Sequence, residues 1–356
     1  MVDILFNFES ASGSWSKIQD TNQSIAFNLQ TEGDTVRHNF LCQIKLTTPA
    51  PPTLAFVILN AGRSNYKKGW NNYAPYMSTD FKTWQQLPKG QYENGQFSFQ
   101  VAQPPASFYL AWYPPYTNTQ HQDFLEQQLL SNANFTIKNN GDYISYGDLN
   151  QPTVVLIGRQ HPGESMASFL LEGFLETLAQ KVEPLPCSFV LFPIVNKTGV
   201  QEGNHRYNPE GIDLNRVWNQ TTIPMIQQVK QALKDLPNPK LFIDCHGDEV
   251  SKIDYIFYSK IAKRTQEQLF PKLQASLKDV LLLERQSYLK RFIKSLIYRK
   301  KILTNPGKLA FDYVQSKYQI PAFTFEVSAH RSTPTESKVL GQKLLEGLIN
   351  VDWQAL

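Results

Sequence analysis

Short runs of hydrophobic residues alternate with turn-forming clusters over the first part of the chain. Apolar runs over residues 54–59, 97–101 and 108–112 have the length of β-strands, and Gly, Asn and Pro residues separate them. Asn94 and Gly95 stand between two alternating stretches and predict a tight hairpin turn. This spacing of strands and turns predicts an antiparallel β-sandwich domain over residues 1–115.

The pattern changes from residue 116 onward. Apolar stretches of strand length alternate there with longer segments of helical periodicity. Continuous apolar strands separated by helices are typical of a mainly parallel sheet with helices on both faces. We therefore predict an α/β domain over residues 116–356, with a mixed, mainly parallel sheet. The predicted strands are residues 153–158, 188–194, 240–244 and 322–327, and the predicted helices are residues 121–131, 165–182, 224–236, 260–278 and 336–348.

The composition agrees with two folded domains and excludes some classes of function. The chain has 356 residues, enough for two cores, and 41% of them are hydrophobic against 19% charged, which excludes a disordered chain. The net charge of +4 falls short of that of a nucleic-acid-binding domain, in which dense clustering of Lys and Arg is expected. We therefore predict no nucleic-acid partner. The many aromatic residues of the sandwich predict core packing and docking onto the second domain, with a carbohydrate-binding face as the alternative.

The cysteines and the apolar segments bear on the cellular compartment in which we expect the protein. Three widely spaced cysteines without a Cys-x-x-Cys pair argue against a disulfide framework and against a cysteine-bound zinc ion. The N-terminal segment lacks the basic start and long apolar core of a signal peptide, and no run of 18 apolar residues occurs. We therefore expect a cytoplasmic protein with no membrane partner.

Four residues that can bind a metal ion or carry protons stand at the ends of the predicted strands. His161 and Glu164 follow the first strand of the α/β domain, His246 follows the third, and Glu326 lies near the end of the fourth. Because the carboxyl ends of parallel strands meet at one edge of a sheet, we expect these side chains to lie together.

Two histidines and one carboxylate form the ligand set of a catalytic zinc ion that keeps a fourth position open. We predict one Zn²⁺ per chain, bound by His161, Glu164 and His246. The His-x-x-Glu spacing places the first two ligands on a loop, unlike the helix-borne His-Glu-x-x-His sites. Hydrolysis also needs a proton carrier, and Glu326 is the candidate general base. The alternative for each residue alone is an ordinary buried side chain, such as a Glu326 paired with an arginine.

A second polar segment contains Arg206, Asn215 and Arg216. The guanidinium group binds carboxylates through two parallel hydrogen bonds, and an amide adds a neutral donor. Beside a metal site, one arginine would fix a substrate carboxylate and the other would stabilise an oxyanion. The alternative is that both arginines lie on an exposed loop.

These segments resemble the zinc carboxypeptidases of the carboxypeptidase A clan, and within it the cytosolic carboxypeptidases, whose eukaryotic members remove glutamates from tubulin tails. Residues 60–62, 69–73, 78–80, 84 and 112–116 resemble the N-terminal β-sandwich of that branch. The motifs that carry the resemblance in the second domain are His161-Pro-Gly-Glu164, Gly203-Asn-His-Arg206, Asp213-Leu-Asn-Arg216, Asp244-Cys-His-Gly247 and Phe323-Thr-Phe-Glu326.

The resemblance implies an α/β/α catalytic domain of the carboxypeptidase type and hydrolysis of the C-terminal peptide bond of a peptide or protein. It implies that His161, Glu164 and His246 bind zinc. It also implies that Glu326 is the general base and acid, and that Arg206 polarises the scissile carbonyl.

The resemblance further implies how the substrate is held. Asn215 and Arg216 would bind its terminal carboxylate, while Asp213 would accept the free ring N–H of His161. Glutamate-removing members have a basic residue somewhat upstream of the catalytic glutamate. The corresponding stretch here, residues 307–312, contains Lys308 and no arginine, so a preference for acidic C-terminal residues depends on Lys308.

A basic segment over residues 285–301 bears on the substrate as well. It would attract acidic peptide tails by electrostatic steering, or it is simply the solvated face of a helix near the site. Its basic residues, with no acidic residue among them, are Arg285, Lys290, Arg291, Lys294, Arg299, Lys300 and Lys301.

Two other functions fit parts of the pattern. A related zinc amidohydrolase acting on an N-acyl amino acid or a cell-wall peptide would share the metal and the carboxylate-binding groups. A binding module, in which the sandwich recognises a polymer and the site is degenerate, is disfavoured because every catalytic residue is present.

Overall fold

Residues 2–12, 16–20, 23–181, 184–220, 222–258, 263–277 and 308–356 are described by a computed structural model of the chain. The chain begins with two five-stranded sheets and continues into a seven-stranded sheet covered by helices. The predicted fold class, a β-sandwich followed by an α/β domain, is confirmed. The predicted helix over residues 260–278 is described only as Lys263–Leu277, and the basic segment over residues 285–301 lies outside the described residues.

The sandwich packs two sheets face to face, with strand orders β1-β6-β12-β8-β9 and β10-β11-β7-β3-β2. The pairing is antiparallel except between β3 and β7, which run parallel. Asn94 and Gly95 form the predicted hairpin turn between β10 and β11, both with positive φ. A separate hairpin of two short strands, β4 and β5, also belongs to this domain. The strands are β1 Val2–Leu5, β2 Ser16–Asp20, β3 Ser24–Asn28, β4 Thr31–Glu32, β5 Thr35–Val36, β6 Leu41–Leu46, β7 Thr53–Ile58, β8 Tyr76–Ser78, β9 Gln85–Gln86, β10 Gln91–Glu93, β11 Gln96–Ala102 and β12 Ser107–Ala111.

Aromatic side chains fill the sandwich core, as predicted for packing. Trp70, Trp112 and Tyr73 are fully buried, and the rings of Tyr73 and Trp112 stack on each other. Tyr113 extends from the sandwich to the second domain, where its hydroxyl donates a hydrogen bond to the carbonyl of Ser332 at 2.5 Å. The sandwich and the second domain therefore share a packed boundary.

The seven strands in the sheet of the second domain have the order β13-β14-β16-β15-β17-β19-β18. The four central strands run parallel, and the outer pairings are antiparallel, which gives the predicted mixed, mainly parallel sheet. The strands are β13 Phe135–Lys138, β14 Tyr143–Tyr146, β15 Thr153–Gly158, β16 Ser188–Phe192, β17 Pro239–Asp248, β18 Tyr255–Phe257 and β19 Ala322–Ser328.

Helices cover both faces of this sheet because each helix buries one apolar stripe. One face carries α2, α5 and α7, and the other carries α4 and α6. A capping box closes the start of α7, where Thr333 accepts from the Glu336 backbone N–H and the Glu336 side chain accepts in return. The helices are α1 Asn118–Phe124, α2 Ser165–Ala179, α3 Lys197–Gln201, α4 Pro224–Asp235, α5 Lys263–Leu277, α6 Ala310–Tyr318 and α7 Pro334–Ile349.

Strand β17 differs most from its prediction. The predicted strand ended at Asp244, where the apolar run ends, but the backbone continues to pair with β19 as far as Asp248. His246 is therefore a strand residue, and it pairs in register with Glu326 of β19. This pairing brings a predicted ligand and the predicted base side by side.

Candidate metal centre

His161, Glu164 and His246 converge on one buried point at the carboxyl edge of the sheet. His161 follows β15 in a loop, Glu164 is the residue before α2, and His246 lies in β17. Their potential ligand atoms all lie within 4.8 Å of one another. The Nδ1 atoms of His161 and His246 lie 2.7 and 2.8 Å from the two carboxylate oxygens of Glu164. Two imidazole nitrogens and a carboxylate directed at one point fit a divalent metal ion.

Carboxylates on the far side of each ring fix the orientation of the histidines. The Nε2 atom of His161 lies 3.1 Å from Asp213 Oδ1, and that of His246 lies 3.0 Å from Asp244 Oδ2. These contacts turn the Nε2 atom of each ring toward a carboxylate, so that Nδ1 is the ring atom that faces the candidate metal position. This observation tests the fit independently of the motif. The Nδ1 atoms that would bind the metal face Glu164, whereas the Nε2 atoms face the carboxylates of Asp213 and Asp244.

Asp244 is a site residue that the sequence analysis did not assign. It stands two positions before His246 on the same strand, so both side chains lie on one face of the sheet. That spacing was the available signal. Asp244 in turn accepts from Gln160 Nε2 at 2.8 Å, and Gln160 accepts from the Trp218 indole N–H at 2.7 Å.

The charges of the cluster depend on burial and on close partners. Burial alone would raise the pKa of Glu164, but His161 and His246 bring it well below its usual range. Burial likewise opposes the charged form of His246, and Asp244 with Glu164 still holds its pKa well above the ordinary value. Glu164 is therefore ionised and ready to bind a cation at neutral pH.

Glu326 has the opposite electrostatic character. Burial raises its pKa well above the ordinary value of a carboxyl group; His246 opposes this, while Asp248 and Glu164 add to it. A raised pKa suits a carboxyl group that must both accept and donate a proton.

Arg206 is held beside the ligand cluster by Asp213. Its Nη2 atom lies 2.6 Å from Asp213 Oδ2, so Asp213 contacts His161 with one oxygen and Arg206 with the other. The other guanidinium nitrogen, Nη1, donates to the hydroxyl of Tyr66, a residue of the sandwich. Tyr66 is the second residue that the sequence analysis did not assign, and no local pattern marks it.

Asn215 and Arg216 lie in the 3-10 turn that follows Asp213. The Asn215 side chain is buried, with Nδ2 at 3.0 Å from His246 Nε2 and Oδ1 accepting from the Ala310 backbone N–H at 2.9 Å. Arg216 is half-buried and donates to the carbonyl of Asn215 at 2.7 Å. The structure therefore brings Asn215 to the cluster of candidate metal ligands and places Arg216 directly beside Asn215.

Comparisons with known proteins bear on the family and the fold of the chain. Residues 4–113 match the family model of the cytosolic carboxypeptidase N-terminal domain. Human cytosolic carboxypeptidase 6 is 26% identical over 321 residues, which cover 76% of this chain and 63% of that protein. An uncharacterised protein of Zymomonas mobilis is 28% identical over 229 residues, 60% of this chain and 59% of that protein. The chain thus spans less than two thirds of the length of these relatives.

Solved structures are similar over nearly the whole chain. A metallo-carboxypeptidase from Burkholderia cenocepacia superposes with a TM-score of 0.81 at 21% identity, covering 98% of both chains. A metallo-carboxypeptidase from Pseudomonas aeruginosa, in complex with (2-guanidinoethylmercapto)succinic acid, gives 0.82 at 23% identity with the same coverage. At sequence identities this low, the structural similarity shows a shared fold and nothing further. The sandwich thus matches the cytosolic carboxypeptidase N-terminal domain over residues 4–113, and the whole chain shares its fold with metallo-carboxypeptidases.

Proposed function

We propose that this chain is a zinc-dependent metallocarboxypeptidase that hydrolyses the C-terminal peptide bond of peptides or proteins in the cytoplasm. The observation that carries the proposal is the buried His161–Glu164–His246 cluster with Glu326 in register beside His246. We assign the catalysis to residues 116–356 and take residues 1–115 as the sandwich domain. Free, buried cysteines support a reducing compartment.

His161, Glu164 and His246 would hold one Zn²⁺ per chain. When bound, the ion supplies a Lewis acid that polarises the scissile carbonyl and lowers the pKa of water. The protein's own contribution is first to keep Glu164 ionised through its contacts with His161 and His246. In addition, Asp213 and Asp244 contact the Nε2 atoms and so turn both Nδ1 atoms toward the metal position.

Glu326 would carry the proton. Its raised pKa lets it take a proton from the attacking water and give it to the leaving amine nitrogen. Its place opposite His246 in the β17–β19 pairing supports this role, because that pairing keeps the carboxyl next to the metal ligands.

Arg206 would stabilise the negative charge that develops on the carbonyl oxygen. Its bond to Asp213 neutralises part of its charge and fixes its position relative to His161. A donor held in place before the reaction stabilises the transition state without a reorganisation cost.

Asn215 and Arg216 would bind the terminal carboxylate of the substrate. We extend the proposal to a preference for acidic C-terminal residues. It is supported by Lys308, which lies two residues before Ala310, the backbone donor to Asn215. Asp312, buried in the first turn of α6, would oppose this preference, so basic C-terminal residues are the informative comparison.

The experiment measures zinc content and the release of C-terminal amino acids from a peptide panel with acidic, apolar and basic ends. We expect turnover by the zinc-loaded protein and a decrease in kcat of about 10²- to 10⁴-fold in Glu326→Gln with metal content unchanged. Glu126→Gln, at an exposed position, is the matched control. Zinc-loaded protein that cleaves no peptide of the panel would refute the function, and full turnover by Glu326→Gln would remove Glu326 from the mechanism.

A zinc amidohydrolase acting on N-acyl amino acids or cell-wall peptides is the second candidate, because it would use the same metal and carboxylate-binding groups. Including an N-acetyl amino acid and a cell-wall peptide in the panel separates the two. A carboxypeptidase prefers peptides by a large factor, whereas an amidohydrolase of this kind prefers the smaller or cell-wall compound.

A further inference from the structure

The loop that carries Arg206 is held by a buried carboxylate of the sandwich. Glu32 ends strand β4, and its side chain accepts hydrogen bonds from three successive backbone N–H groups of the second domain. Oε2 accepts from His205 at 2.7 Å, and Oε1 accepts from Arg206 at 2.6 Å and from Tyr207 at 2.5 Å. Hydrogen bonds to an ionised acceptor are among the strongest in proteins, so this contact fixes the backbone of the loop.

The same hairpin holds the start of the loop. Arg37, which directly follows β5, donates from Nη1 to the carbonyl of Gly203 at 3.2 Å and from Nη2 to Asn204 Oδ1 at 2.9 Å. Gly203 has a φ of +65°, and a side chain there would collide with the backbone of Ala11 in the sandwich. The loop is thus shaped to lie against the sandwich.

Tyr66 of the sandwich holds the side chain of Arg206. Its hydroxyl accepts from Arg206 Nη1, and its ring centre lies 5.6 Å from the guanidinium carbon. Burial raises the pKa of Tyr66 well above its usual value, so the hydroxyl stays neutral and acts only as a contact. The guanidinium is therefore fixed by one group from each domain, Tyr66 on one side and Asp213 on the other.

We infer that Glu32 and Tyr66 are positioning residues for Arg206, and that through them the sandwich completes the active site. The inference rests on the proposed function, because Arg206 needs a fixed position only if it stabilises a reacting carbonyl. Preorganised donors lose much of their effect when they shift by about 1 Å, which can cost as much as 10²-fold in rate. The competing explanation is that these contacts only join the two domains.

A double-mutant cycle distinguishes a role of Tyr66 in positioning Arg206 from a role that only joins the two domains. We expect Tyr66→Phe to lower kcat about 10-fold with KM and inhibition by the product amino acid unchanged, since Arg206 would act mainly in the transition state. In an Arg206→Ala background, the same substitution should change kcat less than about 2-fold, because the group being positioned is gone. Tyr113→Phe removes another hydroxyl that joins the domains, to Ser332, and should leave kcat unchanged.

Equal effects of Tyr66→Phe in both backgrounds, or an equal loss of kcat in Tyr113→Phe, would overturn the positioning role. So would a wild-type kcat in Tyr66→Phe. Thermal unfolding of each variant shows whether it is folded, and Tyr66→Phe keeps the test available if Glu32→Gln does not fold.

Hydrogen exchange tests Glu32 without using activity. Glu32→Gln replaces one accepting oxygen by a donor, so the amides of residues 205–207 should exchange at least about 10-fold faster than in the wild type. Glu9→Gln is the matched control, because Glu9 accepts from the backbone N–H groups of Asn118 and Thr119 instead of those of residues 205–207. Unchanged exchange at residues 205–207 would refute the role of Glu32. Absent wild-type turnover with faster exchange in Glu32→Gln would instead refute the proposed function and leave Glu32 as a structural anchor.

Discussion

The two halves of the site are built in different ways. The metal half takes His161, Glu164 and His246 from the sheet and loops of one domain, and its supporting groups Asp213 and Asp244 come from the same domain. The arginine half depends on the sandwich, whose Glu32 and Tyr66 hold Arg206. All five groups of the metal half thus come from the second domain, whereas the contacts that hold Arg206 come from both domains.

Asp213 is, within the described part of the chain, the carboxylate that touches both halves. Burial alone would raise its pKa, but His161 and Arg206 bring it well below the usual value. A single buried anion thus orients a metal ligand with one oxygen and an arginine with the other.

The largest effect is expected from Glu164→Gln, which breaks the metal half alone. A neutral amide is a poor metal ligand, and the substitution also replaces one of the two oxygens that face the Nδ1 atoms by an amide donor. We expect loss of stoichiometric metal, measured by elemental analysis after gel filtration, and a decrease in turnover of more than about 10³-fold. Exchange at residues 205–207 should stay as in the wild type, and faster exchange there would contradict the independence of the two halves.

An intermediate effect is expected from Asp213→Asn, which weakens both halves together. Loss of an outer acceptor from a metal-binding histidine costs about 10- to 100-fold in metal affinity or activity. We expect a weaker metal affinity in a competition titration with a chelator and a lower kcat when the site is saturated with metal. A change confined to one of these two measurements would show that Asp213 serves only one half. Asp235→Asn, at an exposed position of α4, is the control.

The smallest effect concerns His38, which lies in the sandwich at the boundary behind the arginine half. Its ring is fully buried against Trp112 and His205. Burial lowers its pKa well below the usual value, and the nearby His205 and His330 add to this. The unfolded chain therefore binds more protons as the pH falls below about 6.5, and stability that is present above that pH is lost.

For one such histidine, the loss of unfolding free energy between pH 7 and pH 5.5 is about 1 kcal/mol. Urea unfolding at both pH values should show a shallower pH dependence in His38→Phe than in the wild type, by about that amount. An identical pH dependence in the two proteins would show that His38 is not the titrating group.

The metal half was largely predictable from the sequence because it follows local rules. Apolar runs of strand length identified β15 and β19 almost to the residue, and polar residues just beyond such strands marked His161 and Glu164. The end of β17 was predicted too early, since His246 and Asp248 interrupt the apolar pattern while the backbone goes on pairing with β19. The sequence analysis assigned no role to Asp244, although its spacing of two residues from His246 indicates that both side chains lie on one face of the strand.

The arginine half was not predictable in this way. Glu32 lies 173 residues before His205 and Tyr66 lies 140 residues before Arg206, so no periodicity or motif links them. The parallel pairing of β3 with β7 is a further example, because the strand pattern is the same for either direction of pairing. Such contacts depend on how two surfaces meet in three dimensions.

These sequence separations bear on the order in which the two halves of the site form during folding. The metal ligands are joined by chain segments of 3 and 82 residues, whereas Glu32 reaches the arginine loop across 173. Contacts between distant residues form slowly because more of the chain must be ordered first. We therefore expect the candidate metal ligands of a folding chain to come together before Arg206 is in place, so that the proposed hydrolysis reaches its full rate only after the two domains have docked.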